Sequence, residues 1–560
     1  MESAKVATRK TGFRDERGAA LITVLMIAIP LLMAGGSLIL ITSMNTANTA
    51  DMAAETKAYY AAESGAQQVL QVMRGNVAPN PVFAANPSGG IASANQINFR
   101  KAVTQSDSNL DGDSSTPRLS RWLSYDSTYT DRIPLSSNYS PISGLAFNVQ
   151  MSDPDNSQAV SFSTSGSFAN YGGHDTWHQF NGGGNRATVT YFAQASNTVN
   201  TSGSSTLGYF RISDVQGSIT ITDEPFEITV TQTAPWSTKV YTIHCTLNGT
   251  FTSSSSSVDV TFPSLSNNLS GAVYTKSSTT LSSNNSTPLT VSVTAPQPNR
   301  LLANITGFGP RAAQKQMQIM LSRFAFDFTP VSAITLRSAD SGALSTVAAG
   351  SSSVYNYSGF DNAAGEDLPA FGVTSTPDYN ALSGQHLPDT QVKGFPYAVQ
   401  QVPVSDLPTW LQTADEAREL LIGLRTVAQN NGRYFTPATP PTDFGSPTTP
   451  KITFVDGDAD LNPADGAGLL ICTGNLTIEG SAVYHGLILV LGAGNLTRTG
   501  GGNGTTLGSI LVARFGSSGD FLAPTMQANG SGTSTIQYDS AWVRRGLASP
   551  GPRVVAIGEF

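Results

Sequence analysis

Three groups of residues in this chain have side chains and spacing suited to chemistry. In SDSNLDGDSSTP, Asp107, Asn109, Asp111 and Asp113 alternate around Gly112, a spacing that wraps hard oxygen ligands around Ca²⁺. Arg118 stands where such a loop carries its bidentate Glu, so the match is partial and a solvated Asp/Gly loop without metal is the simpler reading. The second group is VDGDADLNPAD, with Asp456, Asp458, Asp460 and Asp465. Paired carboxylates there suit either Ca²⁺ or the acid and base of glycoside hydrolysis. Between Ile452 and Leu491 they have no Lys or Arg, and His485 is the one candidate base, so a polar loop is again simpler. The third group is His174, Asp175 and His178 in GGHDTWHQF. A Gly-flanked loop gives these imidazoles none of the helical i, i+4 geometry that would join them on a metal.

Other catalytic signatures are missing from the sequence. It has no GxxxxGK[ST], HExxH or GxSxG motif and no CxxC pair. GGGNGTT (Gly500 to Thr506) lacks the lysine of a phosphate loop and reads as a turn. Cys245 follows His244 in an alternating segment, and neighbours on a strand face opposite sides, so they are not a catalytic pair. Cys245 and Cys472 are too few for a disulfide scaffold; a bond between them and two separate buried thiols both stay open. The expectation is a protein that is not an enzyme and needs no cofactor, Ca²⁺ being the one candidate ion.

Composition agrees. Only 12% of the 560 residues are charged, against about 25% in an average soluble protein. A net charge of −8 without a basic face argues against nucleic acid. The 39% hydrophobic content is too high for a disordered chain.

The elements that would position these residues begin with a helix. A leader, residues 1–18, carries Lys5, Arg9, Lys10, Arg14 and Arg17. The run from Ala19 to Thr42 has no charge and, as a helix, is about 36 Å long, enough to cross a membrane. The basic flank precedes it, so the N-terminus should face the cytoplasm and the rest lie outside. Helical spacing continues through Met52, Tyr59, Ala62, Ala66, Val69 and Met73, until Gly75-Asn76 and Pro79 stop it. The pattern predicts one helix of about 55 residues over 19–76, about 85 Å long, with Pro30 inside its apolar half.

A basic leader ending in Gly, an immediate apolar helix and an amphipathic extension look like a type IV prepilin. RGAALITVLMI (Arg17 to Ile27) and AYYAAESGAQQVL (Ala58 to Leu70) resemble the PilX-type minor pilins, over about 60 of the 560 residues. The resemblance implies cleavage by a prepilin peptidase after Gly18, leaving Ala19 first. Major pilins carry a glutamate at the fifth mature position, where this chain has Thr23. In that departure it resembles the PilX-type and K-type pseudopilin members, which are linked to filament initiation or the tip.

The body reads as follows. Residues 77–206 form an irregular polar or β region. Residues 207–345 alternate apolar and polar residues and read as an antiparallel β domain with a short helix. Within it, ANITGFGPRAAQKQMQIMLSRFAFDFTP resembles a PilX-type junction: a strand ending at Gly307 or Gly309, then a short amphipathic segment from Pro310 to Arg323. Residues 346–450 hold loops, a helix over 413–430 with a Thr413–Glu416 capping box, and a Pro-rich linker from Phe435 to Pro450. In residues 451–560, GLLIC, GLILV and GSILV recur at 18 and 22 residues and GNLT recurs twice, as expected of stacked parallel rungs. Antiparallel hairpins are the competing reading.

The fold expected is therefore α+β: a long pilin-like transmembrane and amphipathic helix, a β-rich body and a C-terminal parallel β-solenoid-like repeat. The function expected is a low-copy structural subunit of a type IV pilus or related filament, held in the inner membrane and displayed at the cell surface after assembly. Its partners would be the membrane, other pilin or pseudopilin subunits, the assembly machinery and a prepilin peptidase. The alternative is a membrane-anchored surface protein whose solenoid binds or cleaves carbohydrate.

Overall fold

The computed structural model describes residues 16–74, 99–104, 132–137, 140–170, 176–200, 202–236, 238–283, 285–349, 355–385, 388–462, 465–529 and 532–559. Helix α1 runs unbroken from Glu16 to Met73 through Pro30, 58 residues or about 87 Å. Its two halves meet different surroundings. Every side chain described from Gly18 to Thr46 is exposed, while Ala54, Ala58, Ala61, Ala62, Ala66, Val69, Val72 and Met73 are buried. The buried set recurs every three or four positions, as one helix face requires. Met52, expected on that face, is 70% exposed and lies off it.

That face lies on a five-stranded antiparallel sheet: in spatial order, the strands Ile133–Ser137, Ser140–Ser152, Arg300–Phe308, Gln314–Ser322 and Arg553–Glu559. A short helix α2 (Phe99–Thr104) buries Phe99 and Ala102 in the same core. Phe147, Val149, Leu301, Ile305, Ile319 and Leu321 point at the helix, and each such buried side chain contributes about 2 kcal/mol.

Pro310 to Arg323 departs from its sequence reading. It is one 3₁₀ turn, Pro310–Ala312, followed by a strand that pairs residue for residue with Arg300–Phe308. The apolar positions Met317, Ile319 and Leu321 repeat every second residue, which suits a sheet face and not a helix.

Two further units are looped out of this sheet between its strands. The first, residues 153–299, is a sandwich of two six-stranded antiparallel sheets around the core of Phe162, Phe168, Phe210, Phe226 and Phe251. The strands between Ala159 and Asn200, in the stretch expected as an irregular polar or β region, are regular and belong to this sandwich. Their Ser- and Thr-rich texture hides the alternation, as in Ala159–Phe168, where Val160 and Phe162 are buried between polar neighbours. The boundary placed at 207 therefore falls inside one sandwich.

The second unit, residues 323–552, is built from parallel pairs. Longer strands (Lys451–Val455, Gly466–Cys472, Tyr484–Gly492, Thr505–Arg514) alternate along the chain with shorter ones (Ala459–Leu461, Asn475–Glu479, Asn495–Thr499, Thr525–Ala528). Each set forms its own parallel sheet. Residues 346–401, expected as loops, add strands to both sheets and carry helix α3 (Thr376–Ser383). Helix α4 (Ala414–Asn430) starts at Thr413, whose hydroxyl accepts from the Glu416 N–H at 3.3 Å, and covers the outer face through Leu424 and Ala428. The segment 435–450 is folded into turns against the strand Gly466–Cys472, with Ala467 N–H donating to Phe444 O at 3.1 Å. Helix α5 (Ser540–Ala548) closes the unit, and Arg553–Glu559 then leaves it for the sheet under α1.

The repeated glycines have one job. Gly468, Gly486 and Gly508 stack in register with φ of 130°, 148° and 141°. A Cβ on Gly486 would lie 2.0 Å from the Gly468 carbonyl oxygen, and one on Gly508 would lie 1.7 Å from that of Gly486. Only glycine combines that backbone with that approach. Gly546 brings α5 onto the same ladder, its own Cβ position 2.7 Å from Gly468 O.

Candidate membrane and assembly helix

The most distinctive site is α1 and its seat. One 18-residue window of the helix has mean hydropathy 2.5 and is wholly unburied, so by length and composition it can cross a membrane, as an anchor or a signal sequence does. Gly18 and Ala19 are on its first turns, and Gly18 has nothing within 4 Å of its Cβ position. Thr23 is on its exposed part.

The docked half holds on by closeness. A Cβ on Gly307 would meet Ala58 O at 2.0 Å and Ala62 N at 2.5 Å; one on Gly309 would meet Ala54 O at 2.5 Å. From the helix side, Gly65 admits the Phe147 ring, 2.7 Å from its Cβ position. Backbone thus rests on backbone, and ion pairs flank the contact: Arg311 with Asp51 at 3.0 Å and Lys315 with Glu55 at 3.5 Å. Tyr59 donates to Glu559 at 3.0 Å, and Arg74 donates to Pro552 O at 3.0 Å. Sequence reading took Gly307 and Gly309 as strand ends and did not use Ala54 or Ala58. The signal was there in small residues at 54, 58, 62 and 65, facing a GFG run.

The candidate chemical groups stay apart. Asp456 accepts from Tyr434 at 2.7 Å and Thr473 at 2.9 Å and pairs with Arg425 at 3.1 Å. Burial opposes its ionisation, but these three donors outweigh burial and hold its carboxyl below the usual range. Asp458 accepts from the Asn475 N–H at 2.7 Å and from its side-chain amide at 3.0 Å, and Asp460 faces outward from its strand. Asp456 and Asp458 thus tie together segments that flank neighbouring parallel strands. Among the described residues no three His, Cys, Asp or Glu side chains gather as a metal site.

Asp107, Asn109, Asp111, Asp113, His174, Asp175 and the leader before Glu16 lie outside the described residues. His178 packs on Phe180 at 4.6 Å. His485 stacks on Trp542 at 4.8 Å, and burial lowers its basicity. Cys245 and Cys472 are separate free thiols in different cores, each pushed by burial up to about 12. His244 and Cys245 face opposite ways, 67% exposed and buried respectively.

Comparison with protein-family models, with curated proteins and with solved structures found no match to this chain.

Proposed function

We propose that this chain is a pilin-like structural subunit of the PilX type. It is held in the inner membrane by residues 19–42 and built at low copy into a type IV pilus or related filament. The observation that carries this reading is the two-part helix: a bare apolar half continuous with a half seated, through Ala54, Ala58 and Ala62, on an antiparallel sheet of the body. A bare apolar helix cannot stay in water and must be covered by lipid or by other apolar helices. A seat built backbone on backbone lets the body move with the helix as one piece when it leaves lipid for a filament. In this reading the two parallel sheets of residues 323–552 are a short β-solenoid, and with the sandwich they are displayed outside the membrane. The partners are lipid, neighbouring pilin or pseudopilin subunits, the assembly machinery and a prepilin peptidase acting at Gly18.

Thr23 fits an initiating or tip subunit, because a carboxylate at that position would cost several kcal/mol in lipid unless a neighbour paired with it. Mass spectrometry of the N-terminus tests the reading. Cells with active prepilin peptidase should yield a chain beginning at Ala19, and cells lacking it a chain that keeps its leader. An intact leader in both would overturn it.

A further inference from the structure

The sandwich carries a feature that the pilin reading neither uses nor needs. On the outer face of the sheet formed by Trp177–Gly182, Asn185–Ala193, Ser202–Gln216 and Ser286–Thr294, two neighbouring rows hold aromatic side chains in the open. In one row Trp177 pairs with Thr190, Thr190 with Arg211, and Arg211 with Ser286. In the next, Phe192 pairs with Tyr209, their rings stacked at 4.7 Å and 10°. Trp177 is 56% exposed, Tyr209 38% and Phe192 36%. Two residues along a strand and one strand across separate Trp177 from Phe192, so about 8 Å lies between their backbones. Such clustering is unlike the single exposed apolar residues normal on a surface.

What surrounds the rings narrows the occupant. The rows beyond them are Ser and Thr: Thr206 with Thr290, then Ser204 with Ser292. Arg211 stands exposed among the rings, and no described acidic residue forms an ion pair with it. The acid nearest along its strand, Asp214, is tied to Arg186 at 2.9 Å. Flat rings, hydroxyls and a guanidinium without an ion-pair partner among the described residues together match a polymer with apolar C–H faces, many hydroxyls and carboxylates. Nucleic acid would need a run of basic side chains along its phosphates, whereas Arg211 is the one described cation set among these rings.

We propose that this face binds an acidic polysaccharide, with successive sugar rings lying on Trp177 and on the Phe192–Tyr209 stack while Arg211 takes a uronate carboxylate. The rings supply C–H contacts and stacking area, and Arg211 supplies the charge-assisted hydrogen bond that separates acidic from neutral glycans.

Full-length protein in lipid nanodiscs, titrated calorimetrically with polygalacturonate and with neutral cellohexaose, tests this. Polygalacturonate should bind, and more weakly as salt rises. Trp177→Ala and Tyr209→Ala should each weaken it at least about fivefold, and Arg211→Gln about tenfold. Trp177 and Arg211 are surface-exposed, so their variants should leave the thermal unfolding profile unmoved, while Tyr209→Ala, which loses the stack on Phe192, should shift it slightly. Absence of polygalacturonate binding overturns the proposal, as does binding unchanged in the Trp177→Ala/Tyr209→Ala double variant. Cellohexaose bound as tightly as the uronate polymer overturns the acidic assignment. A sugar-free self-association that these variants abolish would give the face to a second copy instead.

Discussion

Replacing Gly307 with alanine tests the seat of α1 directly. The added methyl would lie 2.0 Å from Ala58 O and 2.5 Å from Ala62 N, and both obstacles are helix backbone that cannot rotate aside. Ordinary contact begins near 3.4 Å, so α1 must lift by more than 1 Å over the hairpin. A gap of 0.5–1 Å already forfeits about a quarter to a half of each dispersion contact across it. Overpacking of this kind costs about 1–3 kcal/mol, and the smaller unfolded-state entropy of alanine returns about 0.4–1. The net loss of about 1–2 kcal/mol corresponds to local opening about 5- to 30-fold more frequent. Hydrogen exchange of the full-length protein should therefore accelerate by that factor over 54–73 and 300–322 and stay unchanged in the sandwich. Gly423→Ala in α4 is the control, since nothing lies within 4 Å of its Cβ position and alanine should stabilise that helix by up to about 1 kcal/mol. If exchange over 54–73 is the same in Gly307→Ala as in the wild type, the close seat is wrong.

Two further outcomes are expected. Gly486→Ala places a Cβ against Gly468 O at a φ of 148° and should cost about 2–4 kcal/mol, opening residues 451–538 to limited proteolysis while the sandwich stays resistant; equal resistance there would refute the ladder. Lys276 is buried over the Phe262 ring and donates to Asn267 Oδ1, and burial lowers its pKa to about 8. The unfolded chain then holds more protons than the folded one between about pH 8 and 10.5, so stability rises with pH across that window, by about 3 kcal/mol at most. Lys276→Met removes that contribution, and identical slopes of stability against pH in the two proteins would contradict it.

What sequence reveals here depends on how far apart the partners lie. Helix α1 was legible almost to its ends, because charge-free and amphipathic spacing are local. So were the α4 cap at Thr413 and the recurring glycines, which mark successive parallel strands. The seat of α1 was not, because Gly307 acquires its meaning only against Ala58, about 250 positions away. Arg553–Glu559 has the β-branched run of a strand, yet nothing local says it leaves the parallel unit to pair with Gln314–Ser322. The outer face of the sandwich was equally hidden, since Trp177, Arg211 and Tyr209 share a face only through strand register. The acidic cluster comes apart for the opposite reason: Asp456, Asp458 and Asp460 are neighbours in sequence, but the corner at Gly457 between two strands gives Asp456 and Asp458 different partners and leaves Asp460 facing outward.

The return of Arg553–Glu559 to the sheet under α1 sets an order of events in time. Tyr59 and its partner Glu559 are 500 positions apart. At about 5–20 residues per second of synthesis, the helix waits about 25–100 s for its closing strand. The sandwich and the parallel unit are each contiguous in sequence and can fold during that interval. Until the strand arrives, Gln314–Ser322 is an open edge, the kind of surface that pairs with a wrong chain. In the membrane-anchored reading proposed above, a helix lodged in lipid holds that edge at the membrane throughout the wait. The sheet under α1 is thus the last unit to close, and in that reading its helix is what keeps the wait safe.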